Sequence, residues 1–234
     1  RGAVSCHLAR AEERQLMANA GTARRGRFIT LEGGEGVGKS TNVGFVAGLL
    51  EDAGIDLQLT REPGGTPLAE RVRQVIVDPS GETISPMAEL LLIFAARALH
   101  VDGLIRPALA AGKWVLCDRF TDASYAYQGA GRGLGDAPVR WLETQVQGEL
   151  RPDLTLLLDA DPVIGMARAG ARGAADRFEQ ERLDFFRRVR AGYLARAAAE
   201  PARFRVIDAE ASLEQVQSQI RQHIKEYLHS YDNA

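Results

Sequence analysis

Cysteine is nearly missing from this 234-residue chain: Cys6 and Cys117 stand far apart, which excludes a disulfide-stapled scaffold and a cysteine-built zinc site. Cys117 falls inside the apolar run Trp114-Val115-Leu116-Cys117, where a buried, reduced thiol is the plain expectation. No apolar run approaches the about 18 residues that a membrane span requires. Arg10, Glu12, Glu13 and Arg14 interrupt the first residues, unlike a secretory signal, so the cytoplasm is the expected location. An excess of charge is also lacking. The net charge of −2 provides no broad basic field, and sequence-independent nucleic-acid binding is not expected. Asparagine occurs only at Asn19, Asn42 and Asn233, so the Asn-Lys-x-Asp segment by which GTP-dependent switches read guanine is absent. Asp78-Pro79-Ser80-Gly81 has a switch-like spelling but reads better as a proline turn after a helix.

What is present is an ordinary globular balance, 45% apolar and 26% charged, enough for one domain with or without a small insertion. Residues 1 to about 26 carry no sustained apolar period and are read as an extension outside the domain. Met17 fits a natural start within that extension, and a short helix over Leu8 to Met17 is an alternative. The domain is expected to run from residue 27 to residue 234.

The most informative segment is Gly33-Gly34-Glu35-Gly36-Val37-Gly38-Lys39-Ser40. It follows the apolar run Phe28-Ile29-Thr30-Leu31 and opens a helical stretch, the setting in which G-x-x-x-x-G-K-[ST] cradles a polyphosphate. Glycines allow backbone N–H groups to curl around phosphate oxygens. Lys39 can reach the terminal phosphates, the Ser40 hydroxyl can hold Mg²⁺, and the helix N-terminus adds positive potential. A nucleoside triphosphate is the implied ligand. Glu35 is the odd member, because an acid among phosphate oxygens would be repelled by several kcal/mol. It is expected to point away from the triphosphate, either accepting a hydroxyl of a second substrate or standing as an exposed loop acid.

From Phe28 onward, apolar runs alternate with helical patterns, which predicts an α/β fold: a parallel sheet with helices on both faces. Five strands are expected, at Phe28–Glu32, Ile55–Thr60, Trp114–Asp118, Leu154–Asp159 and Phe204–Asp208. Helix starts are read at Ser85-Pro86, at Asp136 with Pro138, at Asp161-Pro162, and at the capping box Ser212-Leu213-Glu214-Gln215. Ligands of such a sheet sit beyond the carboxyl ends of its strands, where Glu35, Arg61, Asp118 and Arg119 would emerge.

Asp118 ends a hydrophobic strand and suits Mg²⁺, directly or through water, while Arg119 offers a planar fork for phosphate; a purely structural Asp-Arg pair is the alternative. Arg61, before the Pro63-Gly64-Gly65 turn, reads either as a second phosphate clamp or as a surface arginine. Arg168, Arg172 and Arg177 flank Gly170 and Gly173, the composition of a short lid over about residues 168–178 or of a charged helical face.

In order along the chain, Phe28 to Gly36 leading into the phosphate loop, Arg61-Glu62-Pro63-Gly64-Gly65-Thr66, Phe94-Ala95-Ala96-Arg97 and Asp118-Arg119-Phe120 are followed by Ala126-Tyr127-Gln128-Gly129, Arg151-Pro152-Asp153-Leu154 and Asp176-Arg177-Phe178-Glu179-Gln180. This ordered set resembles the bacterial thymidylate kinases of the P-loop nucleoside monophosphate kinase group, from about Arg27 to the C-terminal region. The resemblance implies that group's P-loop fold with a short lid, and transfer of the ATP γ-phosphoryl group to thymidine monophosphate (dTMP) with Mg²⁺, for dTTP and DNA precursor synthesis. It implies ATP contacts from Gly33 to Thr41 and at Arg168, and catalytic roles for Lys39, Glu35, Arg119 and a lid arginine, Arg172 or Arg177. The lid must supply that charge because Gly36 and Val37 carry none. Arg61 and Arg119 would hold the acceptor phosphate, Glu35 the deoxyribose 3′-hydroxyl, and Phe94, Arg97, Ser124, Tyr127 and Gln128 would surround thymine and sugar. Ser40 and Asp118 would serve Mg²⁺, and a homodimer is the implied assembly; the apolar face of the helix from Ser85 to about Leu99 reads either as its contact or as core within one subunit. Relatives commonly carry an aromatic four residues before the arginine matched by Arg97; here that residue is Ile93 and the aromatic is Phe94. Either Phe94 stacks on the base through a local helix shift or an aliphatic contact replaces stacking, and both side chains read equally as helix core. A kinase for another pyrimidine monophosphate is the nearest alternative function, and a nucleotide-dependent switch is the more distant one.

Overall fold

The computed structural model describes residues 25–78, 82–170, 177–178 and 181–233. Most of the N-terminal extension, and Arg172 with most of the expected lid, lie outside the described residues. Five parallel strands form one sheet in the order β2-β3-β1-β4-β5. They are β1 (Phe28–Gly33), β2 (Leu57–Arg61), β3 (Trp114–Asp118), β4 (Leu154–Asp159) and β5 (Phe204–Asp208). Strand alternation divides the side chains between two faces. Ile29, Leu31, Trp114, Leu116, Leu154, Leu156 and Leu158 enter a core with α1 (Lys39–Asp52) and the C-terminal helix α9 (Leu213–Asp232). On the other face, Phe28, Val115 and Cys117 pack with Val101, Ile105 and Phe120. Cys117 is buried there as a free thiol, as its apolar run suggested.

The remaining helices are set by local signals. Thr66 and Ser85 cap α2 (Pro67–Val77) and α3 (Pro86–His100), each with proline in the first turn. Helix α3 continues through a π-helical turn, Val101–Ile105, into α4 (Arg106–Ala110). A short α5 (Thr121–Ser124) opens into a second π-helical turn, Tyr125–Gly131. Then come α6 (Asp136–Gln147), α7 (Pro162–Gly170) and α8 (Leu183–Ala199). The expected box at α9 is complete: the Ser212 hydroxyl accepts from Gln215 N at 3.3 Å and the Gln215 side chain accepts from Ser212 N at 3.1 Å.

Register brings the carboxyl ends of the strands together. Leu31 and Arg61 both lie opposite Asp118, and Gly33 lies opposite Leu158. The strand order changes direction at β1, whose neighbours are β3 and β4. That is where a doubly wound sheet opens a crevice at its edge.

Candidate active site

The loop after β1 is held tightly against α7. Gly36 has φ +69°, and a Cβ there would lie 1.8 Å from the Gly165 carbonyl oxygen, so only glycine fits. Val37 turns into the core and offers only backbone to the loop, whereas Ser40 and Thr41 are exposed at the start of α1. Lys39 Nζ donates to the Gly33 and Gly34 carbonyls at 3.1 and 2.6 Å. Burial, and then the neighbouring Arg119 cation, bring its ammonium down to about 8.

A cleft of about 270 Å³ extends from this loop. Its lining joins Glu35, Gly36, Gly38, Lys39 and Ser40 to Asp118 and Arg119 at the end of β3, to Ile93 and Arg97 on α3, and to Ser124, Tyr127 and Gln128 from α5 and its π-helical turn. Residues distant in sequence thus share one cavity.

Arg119 is the most constrained of them. Its backbone takes φ +68°, unusual for a side-chain-bearing residue, and its amide donates to Leu31 O at 3.0 Å. The guanidinium donates to Gly33 O at 2.8 Å, to the Tyr193 hydroxyl at 3.1 Å and to Glu35 Oε1 at 2.5 Å. The Tyr127 hydroxyl donates to the same Glu35 oxygen at 2.7 Å. Glu35 is therefore turned toward a cation and a phenol. Two buried groups that the sequence reading passed over support this arrangement. Tyr193 on α8 donates to Glu32 Oε2 at 2.8 Å, and Phe120 N donates to Glu32 Oε1 at 2.7 Å. Glu32 is fully buried, and burial, followed by the nearby Asp122 charge, raises its carboxyl to about 8.

Several of the expected residues do not line the cleft. The Arg61 side chain is 56% exposed and pairs with Glu70 at 3.0 Å instead of entering the cleft. Arg73 lines the cleft instead, with Nη1 donating to Pro63 O at 3.0 Å. It stands between the buried Ala69 and Ile76 on one face of α2, a spacing visible in the sequence. Phe94 does not reach the cleft. It packs with Leu90, Tyr125, Val139 and Leu142, while Ile93 takes the cleft position. Arg168 donates to Ala209 O at 2.7 Å, fastening α7 to the loop after β5 outside the cleft. Arg177 points between α2 and α3: Nη2 donates to the buried Glu89 of α3 at 2.5 Å and Nε donates to Ile76 O of α2 at 2.7 Å. Gln128 Nε2 donates to the same Glu89 at 2.7 Å.

A magnesium ion fits the residues present. Asp118 Oδ1 is buried with no hydrogen-bond partner among the described residues, and Ser40 lines the same cleft. No group of three or more His, Cys, Asp or Glu suited to a metal occurs among the described residues. The sparse oxygen set suits a hard cation that keeps waters and phosphate oxygens as its other ligands. Among the described residues no helix is long and apolar enough to cross a membrane.

Comparison with known proteins agrees with this geometry. The family model described as thymidylate kinase matches residues 31–220. The thymidylate kinase of Ectopseudomonas mendocina (strain ymp) is 60% identical over 195 residues, covering 83% of this chain and 93% of that protein. That of Teredinibacter turnerae is 56% identical over 203 residues, 87% of this chain and 99% of the relative. That of Chromohalobacter salexigens is 58% identical over 208 residues, 88% and 98% respectively. With the phosphate loop, the five-stranded parallel sheet and the shared cleft in place, these matches establish that the chain belongs to the thymidylate kinase family.

Proposed function

We propose that this protein transfers the γ-phosphoryl group of ATP to dTMP, producing ADP and thymidine diphosphate on the way to dTTP. The observation that carries the proposal is the single cleft joining Lys39 and Ser40 to Arg97, Tyr127 and Gln128, which lets a triphosphate and a second nucleotide meet end to end. Family membership supports the same substrates.

Phosphoryl transfer asks the protein mainly for alignment and charge compensation. The backbone of residues 33–41 cradles the donor phosphates and Lys39 offsets the charge that develops on the leaving side. Arg119 and Arg73 hold the acceptor phosphate so that one of its oxygens lies in line. Glu35, already bonded by Tyr127, accepts the deoxyribose hydroxyl. Ile93, Arg97, Ser124 and Gln128 surround the base. Ser40 and Asp118 would hold Mg²⁺, which when bound would supply charge neutralisation for phosphoryl transfer. Arg172, or Arg177 on release from Glu89, closes over the transferred group, and the lid spans about residues 168–178. Residues 1 to about 26 stand outside the kinase domain. The reaction belongs in the cytoplasm, and a homodimer through α2 and α3 fits the exposed Leu68, Val75, Met87 and Leu91.

The test is ADP release from ATP·Mg²⁺ with dTMP, compared with deoxyuridine, uridine, cytidine and adenosine monophosphates and with no acceptor. Selective stimulation by dTMP, with the diphosphate as product, is the expected result. Stimulation by another monophosphate would replace the substrate, and acceptor-independent hydrolysis alone would remove the kinase reading.

A further inference from the structure

Beside the cleft, polar side chains join end to end inside the protein. Thr60 Oγ1 lies 2.6 Å from His100 Nε2, His100 Nδ1 lies 3.0 Å from Glu62 Oε1, and Arg97 Nε donates to Glu62 Oε2 at 2.7 Å. Glu62, Arg97 and His100 are 4%, 2% and 0% exposed. A carboxylate paired with a guanidinium accepts hydrogen bonds, so His100 Nδ1 donates to Glu62 Oε1, and the other ring nitrogen shares a hydrogen bond with the Thr60 hydroxyl. The Pro-Gly-Gly turn makes room for this imidazole: at Gly65, φ +88°, a Cβ would lie 2.4 Å from the His100 ring. Burying such a set is costly compared with an apolar filling, which calls for a use beyond stability.

The far end of this chain of contacts shows the use. Arg97 lines the cleft, yet most of its guanidinium is committed to protein. Besides Glu62, Nη2 donates to Phe120 O at 3.2 Å and to Ser124 Oγ at 3.1 Å, and the group lies 4.4 Å from the Phe94 ring centroid. Nη1 is buried and has no hydrogen-bond partner among the described residues. A guanidinium fixed along two edges and one face cannot turn, so its remaining donor has one direction. We propose that Glu62, itself held by His100, is a positioning residue that orients Arg97 so that Nη1 donates to a carbonyl oxygen of the acceptor nucleotide's base. The proposal rests on the dTMP kinase reading and adds to it the residues that set the base-reading arginine. Glu62 also touches the cleft, but His100 does not line it, so His100 acts on the nucleotide only indirectly, and Glu62 is the side chain that links it to Arg97.

Steady-state kinetics on the full chain compare wild type with Glu62→Gln, His100→Leu and His100→Asn. A glutamine can accept from Arg97 or from His100 but not from both. Leucine removes the support on Glu62, whereas asparagine keeps a donor near the Nδ1 position. Glu62→Gln and His100→Leu are expected to raise KM for dTMP about tenfold or more, the loss of about one charge-assisted hydrogen bond. KM for ATP should stay within about twofold, and His100→Asn should restore most of the loss. Lowered Tm or kcat with an unchanged dTMP KM in both variants would overturn the proposal, since that is what a merely structural network gives. Glu62→Gln is nearly isosteric and decides the matter if His100→Leu does not fold. Should wild type show no stimulation by dTMP, the functional reading itself fails at the first measurement; normal wild-type kinetics with unaffected variants would remove only the positioning role.

Discussion

Arg119 Nη2 and Glu35 Oε1 stand 2.5 Å apart, and that contact ties the turn after β3 to the phosphate loop. Gly33 O and the Tyr193 hydroxyl take the other guanidinium arm at 2.8 and 3.1 Å. A phosphate that arrives here meets a cation whose position is already fixed, so little ordering remains to be done on binding. Arg119→Ala removes the clamp and leaves Glu35 with one fewer compensating donor. The expected outcome in initial-rate assays is a fall in kcat/KM for dTMP of about 100-fold, corresponding to about 3 kcal/mol for charge-assisted hydrogen bonds. Arg119→Lys should recover only part of this, because a single ammonium cannot reproduce the fork. Near-normal kinetics in Arg119→Ala would remove its assigned role.

Arg73, which had no role in the sequence reading, lines the cleft, and Arg61 does not. Arg61 faces solvent beside Glu70, a pairing that solvent screens and that contributes about 0–1 kcal/mol. Arg73 reaches the cleft from α2. Arg73→Ala is expected to raise KM for dTMP by about tenfold or more, whereas Arg61→Ala should change it less than about threefold. The reverse order in a side-by-side titration of dTMP would restore Arg61 as the phosphate clamp.

The neighbours Ile93 and Phe94 divide function from stability. Phe94 is 2% exposed in its cluster and carries Arg97 against its ring. Phe94→Ala should lower unfolding free energy by about 3–5 kcal/mol, read from denaturant titration, because it empties a packed site. Ile93→Ala should leave a cooperative fold and act mainly on KM for dTMP. A selective KM effect from Phe94→Ala with unchanged stability would place the base platform at the aromatic after all.

How much was legible beforehand follows from the range over which each feature is decided. Trp114–Asp118, Leu154–Asp159 and Phe204–Asp208 were located residue for residue, because each is an apolar run closed by an aspartate. Ser85 and Ser212 gave their helix starts for the same local reason. The start of β2 moved from Ile55 to Leu57 because Ile55 N donates to Leu50 O at 3.0 Å, completing the turn after α1. The loop, Lys39, Asp118 and Arg119 were legible as motifs. What escaped depends on partners distant in sequence: Tyr193 lies 74 positions from Arg119, and Glu62 lies 35 from Arg97. Which way Arg61 turns is settled by Glu70 across the Pro-Gly-Gly turn, and no residue pattern at Arg61 itself encodes it.

Lys39 offers a pH signature. Burial, followed by Arg119, depresses its ammonium to about 8, so the free protein loses this cation as pH rises through that value. Triphosphate oxygens favour the charged form, so binding lifts the titration to higher pH. In a pH profile, kcat/KM for ATP should therefore decline above about 8, while the corresponding limb in kcat lies higher or disappears. The sign for stability is opposite. Between about 8 and the usual 10.5 the unfolded chain binds more protons at this site than the folded one, so the contribution of Lys39 to stability increases with pH across that window. Glu32 also titrates near 8, and the control that separates them is Lys39→Arg, whose guanidinium stays charged throughout. The ATP limb should vanish in Lys39→Arg if Lys39 is its source, and its persistence there would assign it to Glu32 or another group.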